Sequence, residues 1–169
     1  MLTRQVIRLN EFLEEKKDHI AGASVLFIGM VRNHSEGKKV TCLEYEAYES
    51  MAEKILLNLT DEARSSWPVH QIRLVHRLGY VRLGEIAVAI EVTAAHRDEA
   101  YQASRFLIEE IKHKVPIWKR EFFEDGTSHW SSCGQQTQVS EPATQRESVI
   151  ARRPKADEAI PYSDRKMFR

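Results

Sequence analysis

The sequence has little cysteine and no cysteine motif. Its only two cysteines, Cys42 and Cys133, lie far apart and form neither a C-x-x-C pair nor a Cys/His spacing typical of zinc ligands. This argues against a disulfide scaffold and a structural zinc site, and it favours the reducing environment of the cytoplasm. We therefore expect no metal, and no residue pattern calls for a cofactor.

Long apolar runs and net charge are also missing. No run approaches the roughly 20 apolar residues of a membrane helix, and the first 17 residues contain no apolar signal core. We expect no membrane segment. Lysine plus arginine and aspartate plus glutamate each number 25, so the net charge is zero. No overall field draws the chain to nucleic acid, and any anion site requires local clustering of cations.

The common motifs of nucleotide-binding and acyl-transfer enzymes are absent too. The sequence has no G-x-G-x-x-G, no G-x-x-x-x-G-K-[ST] and no G-x-S-x-G, and neither cysteine lies in a nucleophile motif. Phosphate binding by a glycine-rich loop and catalysis by a serine or cysteine nucleophile are therefore unsupported.

What is present is the composition of one globular domain, with 42% hydrophobic and 30% charged residues in a chain of 169. Apolar spacing predicts strands over 4–9, 24–31, 40–48, 71–78, 85–93 and 117–123, and helices over 10–17, 49–65 and 98–114. The dense apolar run 24–31 is predicted to be a central strand buried on both faces. This order indicates an α+β fold, a mostly antiparallel sheet covered by two main helices.

The composition changes near residue 131. Residues 1–131 carry the apolar pattern and are predicted to form the domain. Residues 132–169 are rich in Gln, Ser, Thr, Pro, Arg and Glu and have few core-forming side chains, so we predict a polar, flexible C-terminal extension there.

The most informative stretch is 112–121, where basic residues alternate with rigid apolar ones. Pro116 ends the second long helix and turns the chain into a strand. Lys112, at the helix end, and Lys119, in the strand, are therefore predicted to converge on one anion. A lysine at a helix C-terminus is common, and for Lys112 alone we prefer that structural explanation. A lysine between Trp118 and Arg120 is harder to explain in that way.

Other basic residues lie at strand ends. His96 and Arg97 stand where a buried strand passes into a helix, a place where phosphate is often held, although a capping or exposed pair is equally consistent. Arg32 follows the apolar run and more often simply marks the end of a strand. His76 and Arg77, just before Gly79, are predicted to have a surface role.

Together these segments closely resemble the large, catalytic subunit of molybdopterin synthase. The resemblance covers about residues 1 to 130 and rests on six segments in order: GMVR at 29–32, LEYEAY with MAE at 43–53, HRLG at 76–79, GE at 84–85, HRD at 96–98 and KHKVPIWKRE at 112–121. Each segment alone is weak, whereas six in register are specific. The resemblance implies a hammerhead-like version of the predicted fold.

The resemblance also implies an activity and partners. The family's enzyme converts cyclic pyranopterin monophosphate to molybdopterin in molybdenum cofactor biosynthesis. Sulfur arrives as a thiocarboxylate on the C-terminal Gly-Gly of a small ubiquitin-like sulfur-carrier subunit. The large subunits pair as a homodimer, and the whole assembly is a heterotetramer.

Matching positions then imply the site residues. Lys119 and Lys112 would be catalytic, and Arg32, His96 and Arg97 would hold the phosphate, with one protomer completing the other's pocket. Four further positions flank these and would line the substrate site together with them: Met30, Val31, Arg120 and Glu121. Met30 departs from the basic residue that many relatives have.

Two other classes of function stay open at this point. A non-catalytic scaffold that docks a ubiquitin-like tail would share the groove and lack pterin binding. A single-stranded nucleic-acid binder using Trp118 and the basic cluster would show a strongly salt-dependent affinity for oligonucleotides.

Overall fold

The computed structural model describes residues 1–10 and 19–132. The elements run in the order β1 (Leu2–Thr3), β2 (Ala23–Met30), β3 (His34–Ser35), β4 (Lys38–Ala47), α1 (Glu49–Ser66), β5 (Val69–Arg77), β6 (Gly79–Arg82), β7 (Ile86–Ala94), α2 (Arg97–Lys114), β8 (Ile117–Phe123) and β9 (Ser128–Ser132). The predicted helix over 10–17 and the extension beyond residue 132 lie outside the described residues, apart from residue 10. The predicted opening strand over 4–9 is wrong, since the strand is the shorter and earlier β1.

The first sheet has the strand order β1-β5-β7-β2, in which β1 runs parallel to β5 and the other neighbours are antiparallel. β7 is central and almost wholly buried. The prediction that the run 24–31 is a central strand buried on both faces is wrong: β2 is an edge strand, and none of its residues is fully buried. Its apolar side chains serve two surfaces, because Val25 and Phe27 pack on the main core and Leu26 on a smaller cluster.

The remaining strands form a second sheet with the order β3-β4-β8-β9, and β6 also pairs with β4. The chain crosses from one sheet to the other at Leu78, between β5 and β6. This corner is held by Arg77, whose guanidinium donates to the Glu85 carboxylate at 2.8 Å and to the Tyr80 carbonyl oxygen at 2.9 Å. Glu85 also accepts from the backbone N–H of Arg82 at 2.9 Å.

The two helices cover one face of the first sheet and form the main core with it. α1 buries Ala52, Leu56, Leu59 and Ala63, and α2 buries Ala100, Ala103, Leu107, Ile108 and Ile111. These residues recur at spacings of three and four, which is the apolar stripe that the sequence predicted. The α+β class with two main helices is confirmed. Within the described residues, no helix combines the length and the apolar content that crossing a membrane would need.

Proline determines where both helices end. Trp67 precedes Pro68 and Val115 precedes Pro116, and both residues adopt the extended backbone that a following proline favours. Each still closes the last helical turn through its N–H, Trp67 to the Ala63 carbonyl oxygen at 3.0 Å and Val115 to that of Ile111 at 3.2 Å. The stop at Val115 directs the chain from α2 straight into β8.

Candidate active site

A cavity of about 220 Å³ opens between the two sheets beside the last turns of α2. Its walls are largely apolar, and the apolar side chains come from the first sheet and the helix: Phe27, Met30, Ala87, Val88, Ile108 and Ile111. Gly29 forms part of the wall, and Tyr45 lies on the side of the second sheet. The polar side chains in the lining are His76, Lys112 and Lys119. An apolar cavity with a few convergent polar groups is the usual form of a small-molecule site.

Lys112 and Lys119 reach this cavity from opposite sides of the proline turn. Lys112 lies in the last turn of α2, where its charge also opposes the negative end of the helix dipole. Lys119 lies on β8 directly across from Tyr45 of β4. The structure thus brings together the two lysines whose convergence the sequence predicts. Lys114 instead lies on the surface, where it pairs with Glu110 at 2.6 Å.

Lys119 is held by Glu121, its neighbour on the same face of β8. The Nζ–Oε1 distance is 2.8 Å, and the side chains are only 29% and 11% exposed. Burial alone would raise the pKa of the Glu121 carboxyl, but hydrogen bonds from Lys119 and Ser35 and the charges of Lys119 and Arg32 outweigh it and keep that pKa below its usual value. Glu121 is therefore a carboxylate that fixes the Lys119 ammonium at the edge of the cavity.

Met30, Val31 and Arg32 follow one another along the rim. Met30 lines the cavity and is otherwise exposed, whereas Val31 is buried and exchanges backbone hydrogen bonds with the turn before β7. The Arg32 Nε donates to the His34 carbonyl oxygen at 2.9 Å, and its charge acts on Glu121. Arg32 therefore lies near the Lys119–Glu121 pair without lining the cavity.

Arg120 lies on the other face of β8. Its guanidinium donates to Ser128 Oγ at 2.9 and 3.1 Å and stacks over the rings of Phe122 and Trp130 at 4.9 and 5.7 Å. Trp118 is exposed on the same outer face, because side chains alternate along a strand. Trp118 therefore does not enclose Lys119, and the apolar surroundings of the lysine come from the first sheet and α2.

His96 and Arg97 are far from this cavity within one chain. Arg97 begins α2 and Lys112 lies near its end, so their backbones are about 22 Å apart at the α-helical rise of roughly 1.5 Å per residue. His96 lies just beyond the C-terminal end of β7, whereas Ala87 and Val88, which line the cavity, lie near the N-terminal end of that strand. Both side chains are exposed. A single chain does not bring them together with the two lysines.

His76 and Arg77 are not surface residues, and that prediction is wrong. His76 is 4% and Arg77 8% exposed, and His76 lines the cavity. The signal was present in the sequence: His76 continues the alternation of Ile72 and Leu74, whose side chains face the core. The imidazole packs edge-on against Tyr45 with ring centroids 5.0 Å apart.

No candidate metal centre is found in the part of the chain that the structure describes. There, His, Cys, Asp and Glu side chains do not gather in groups of three or more that would hold a metal ion. The ionisable groups in the cavity lining are the two lysines, His76 and Tyr45. The two lysine ammoniums make the cavity suited to bind an anion.

Comparison with known proteins gives one consistent match. The family model described as MoaE protein matches residues 2–114. A molybdopterin synthase catalytic subunit from Nostoc is 40% identical over 134 residues, covering 79% of this chain and 81% of the relative. The same subunit from Thermoplasma volcanium is 47% identical over 110 residues, covering 65% of this chain and 80% of the relative.

Solved structures agree with the sequence matches. The crystal structure of molybdopterin synthase from Staphylococcus aureus aligns with a TM-score of 0.72 and 42% identity, covering 77% of this chain and 94% of that one. A protein–protein complex of subunits 1 and 2 of molybdopterin-converting factor from Helicobacter pylori shares the fold, with a TM-score of 0.65, 22% identity, and 83% and 92% coverage. On the match of residues 2–114 and these identities, the chain belongs to the MoaE protein family.

Proposed function

We propose that this chain is the catalytic subunit of a molybdopterin synthase, a sulfurtransferase of molybdenum cofactor biosynthesis. It converts cyclic pyranopterin monophosphate to molybdopterin, with sulfur from the C-terminal thiocarboxylate of a small ubiquitin-like subunit. The relatives at 40% and 47% identity carry this name. The observation that carries the proposal is the convergence of Lys112 and Lys119 in one apolar-walled cavity.

The cavity suits the charges of such a reaction. The substrate carries a phosphate, and transfer of an acyl-bound sulfur develops negative charge. Fixed ammonium groups stabilise both, and they act more strongly beside apolar walls than in bulk water. Lys119 is the first choice for the catalytic group, because Glu121 fixes its position. Lys112 is the second. Met30, Val31, Arg32 and Glu121 complete the proposed substrate-binding set around the cavity, and Arg120 is left out because it lies on the outer face of β8.

His96 and Arg97 enter the proposed site from a second copy of the chain. Their separation from Lys112 by the length of α2 supports this arrangement, since the phosphate-binding role cannot be fulfilled within one protomer. The proposed assembly is a homodimer with one small subunit at each end, a heterotetramer located in the cytoplasm. The C-terminal Gly-Gly tail of the small subunit inserts into the cavity.

The central experiment is Lys119→Ala in the full-length chain, mixed with thiocarboxylated small subunit and cyclic pyranopterin monophosphate. We expect the variant to fold and to form no dithiolene product. Lys114→Ala is the matched control, because that lysine is nearby and exposed, and it should retain wild-type conversion. Wild-type turnover by Lys119→Ala would refute the lysine mechanism. Tail binding by the wild type without pterin binding would show a scaffold instead.

A second experiment tests the shared site. Lys119→Ala and Arg97→Ala are each expected to be inactive when assembled alone. In a mixed dimer one site carries both substitutions and the other carries none, so random mixing of the two variants restores roughly a quarter of the wild-type sites. No recovery in co-expressed protein would show that Arg97 does not complete the site of the partner protomer.

A further inference from the structure

His76 is a buried side chain of the cavity that the proposed lysine mechanism does not use. It lies near the end of β5, with its backbone N–H donating to the Met1 carbonyl oxygen at 2.8 Å, and it faces Val88 across the sheet. Its ring is fixed edge-on against Tyr45. A rigid imidazole at this position, in the wall of a ligand cavity, needs an explanation beyond packing.

The protonation of the ring follows from its contacts. Nδ1 lies 2.9 Å from the carbonyl oxygen of Arg77, and a carbonyl oxygen only accepts, so Nδ1 carries the hydrogen. Burial lowers the pKa of His76 to about 4, against the raising effect of that hydrogen bond. At neutral pH the ring is therefore uncharged, and Nε2 presents a lone pair.

Nε2 is open to the cavity. Within the described residues Nε2 has no hydrogen-bond partner. The fully buried side-chain atoms that lack a partner there are Arg77 Nε, Thr93 Oγ1 and Glu99 Oε2. Because Nε2 is not one of them, it is accessible from the cavity that His76 lines. The two lysine ammoniums offer donors only, whereas Nε2 of the neutral ring offers an acceptor only. The cavity therefore combines anion-binding donors with a fixed acceptor that carries no hydrogen.

We propose that His76 is a specificity-determining residue, whose Nε2 accepts a hydrogen bond from a ring N–H of the pterin while the lysines hold anionic groups. This inference rests on the proposed function. A ligand that brings a phosphate but no N–H to this place leaves Nε2 unpaired inside the cavity, and a site of this kind rejects such a ligand more strongly than an apolar wall does.

The test compares two ligands on the wild-type chain and on two variants. The ligands are cyclic pyranopterin monophosphate and 1-naphthyl phosphate, a two-ring phosphate without N–H donors, and their Kd values are measured by calorimetry. We expect His76→Phe, which keeps an aromatic ring against Tyr45, to weaken pterin binding roughly five- to tenfold and to strengthen naphthyl phosphate binding, because the unpaired acceptor is gone. His76→Gln, which retains an acceptor, should recover part of the loss.

Two results would overturn the inference. One is an unchanged ratio of the two Kd values in both variants, and the other is a wild-type chain that binds both ligands equally well. Conversion of the pterin by wild-type protein, assayed in parallel, keeps the two proposals apart. Turnover with an unchanged ratio rejects only the role of His76, whereas absence of pterin binding and turnover rejects the proposed function with it.

Discussion

The buried His76 makes the stability of the fold depend on pH. Burial lowers the pKa of this imidazole from 6.5 to about 4 in the folded protein. As the pH falls below 6.5, the unfolded chain takes up the proton first, so unfolding becomes easier until the folded chain is protonated near pH 4. The gap corresponds to roughly 3 kcal/mol, of which about 2 kcal/mol is lost between pH 7.5 and pH 5.

Urea titrations at several pH values isolate this effect. The free energy of unfolding of the wild type should fall by about 2 kcal/mol more than that of His76→Gln between pH 7.5 and pH 5. His70, an exposed histidine of the same strand, is the matched control, and His70→Gln should follow the wild type. If His76→Gln also keeps the full pH dependence of the wild type, the imidazole is not held neutral by burial and the reasoning fails.

Three further substitutions test packing and the ion pair. Glu121→Gln should cost about 1–2 kcal/mol of unfolding free energy at pH 7, because the pair that it breaks is only partly enclosed. Since the folded pKa of that carboxyl lies below 4.5, the cost should disappear in urea titrations as the pH falls through that range, and a constant cost would contradict the assignment. Gly29→Ala would place a methyl group 2.7 Å from Val88 Cγ1 and should cost about 1–3 kcal/mol. Adding Val88→Ala should recover part of this loss, whereas additive losses would show that the two side chains do not meet. Leu56→Ala should cost about 2–5 kcal/mol in thermal unfolding, whereas Leu57→Ala on the exposed face should cost little, and equal costs would reject the assigned helix face.

The helices were predictable because their signals are local. The predicted ranges 49–65 and 98–114 differ by one residue at one end from the observed α1 and α2. Apolar spacing gives the buried face, and Pro68 and Pro116 fix the C-terminal ends whatever the rest of the chain does. The convergence of Lys112 and Lys119 followed from the same proline turn.

The pairing of the strands was not predictable in the same way. The division into two sheets depends on which strands β4 and β5 pair with, and those strands lie far away in the sequence. No local pattern near Leu78 indicates that β6 pairs with β4 instead of joining the first sheet. The edge position of β2 has the same origin, because an apolar run predicts contact on both faces but not a strand neighbour on both sides.

In the candidate site, too, some features follow from the local sequence and others only from the observed structure. The sequence resemblance pointed to the whole stretch 112–121, but only the alternation along β8 separates Lys119 and Glu121, on the inner face, from Arg120 on the outer one. That alternation is readable from the sequence of β8 itself. The separation of Arg97 from the cavity is a property of the straight α2 helix and required its observed extent.

The corner at Leu78 has a consequence for the breadth of substrates that fit. Opposite walls of the cavity belong to different sheets, so the gap between them depends on the angle at which the sheets meet. That angle is fixed by the Arg77 guanidinium bridging Glu85 and the Tyr80 carbonyl oxygen, none of which needs to touch a ligand. Substitutions at Arg77 or Glu85 are therefore expected to change the size of ligand that fits, although neither residue lines the cavity.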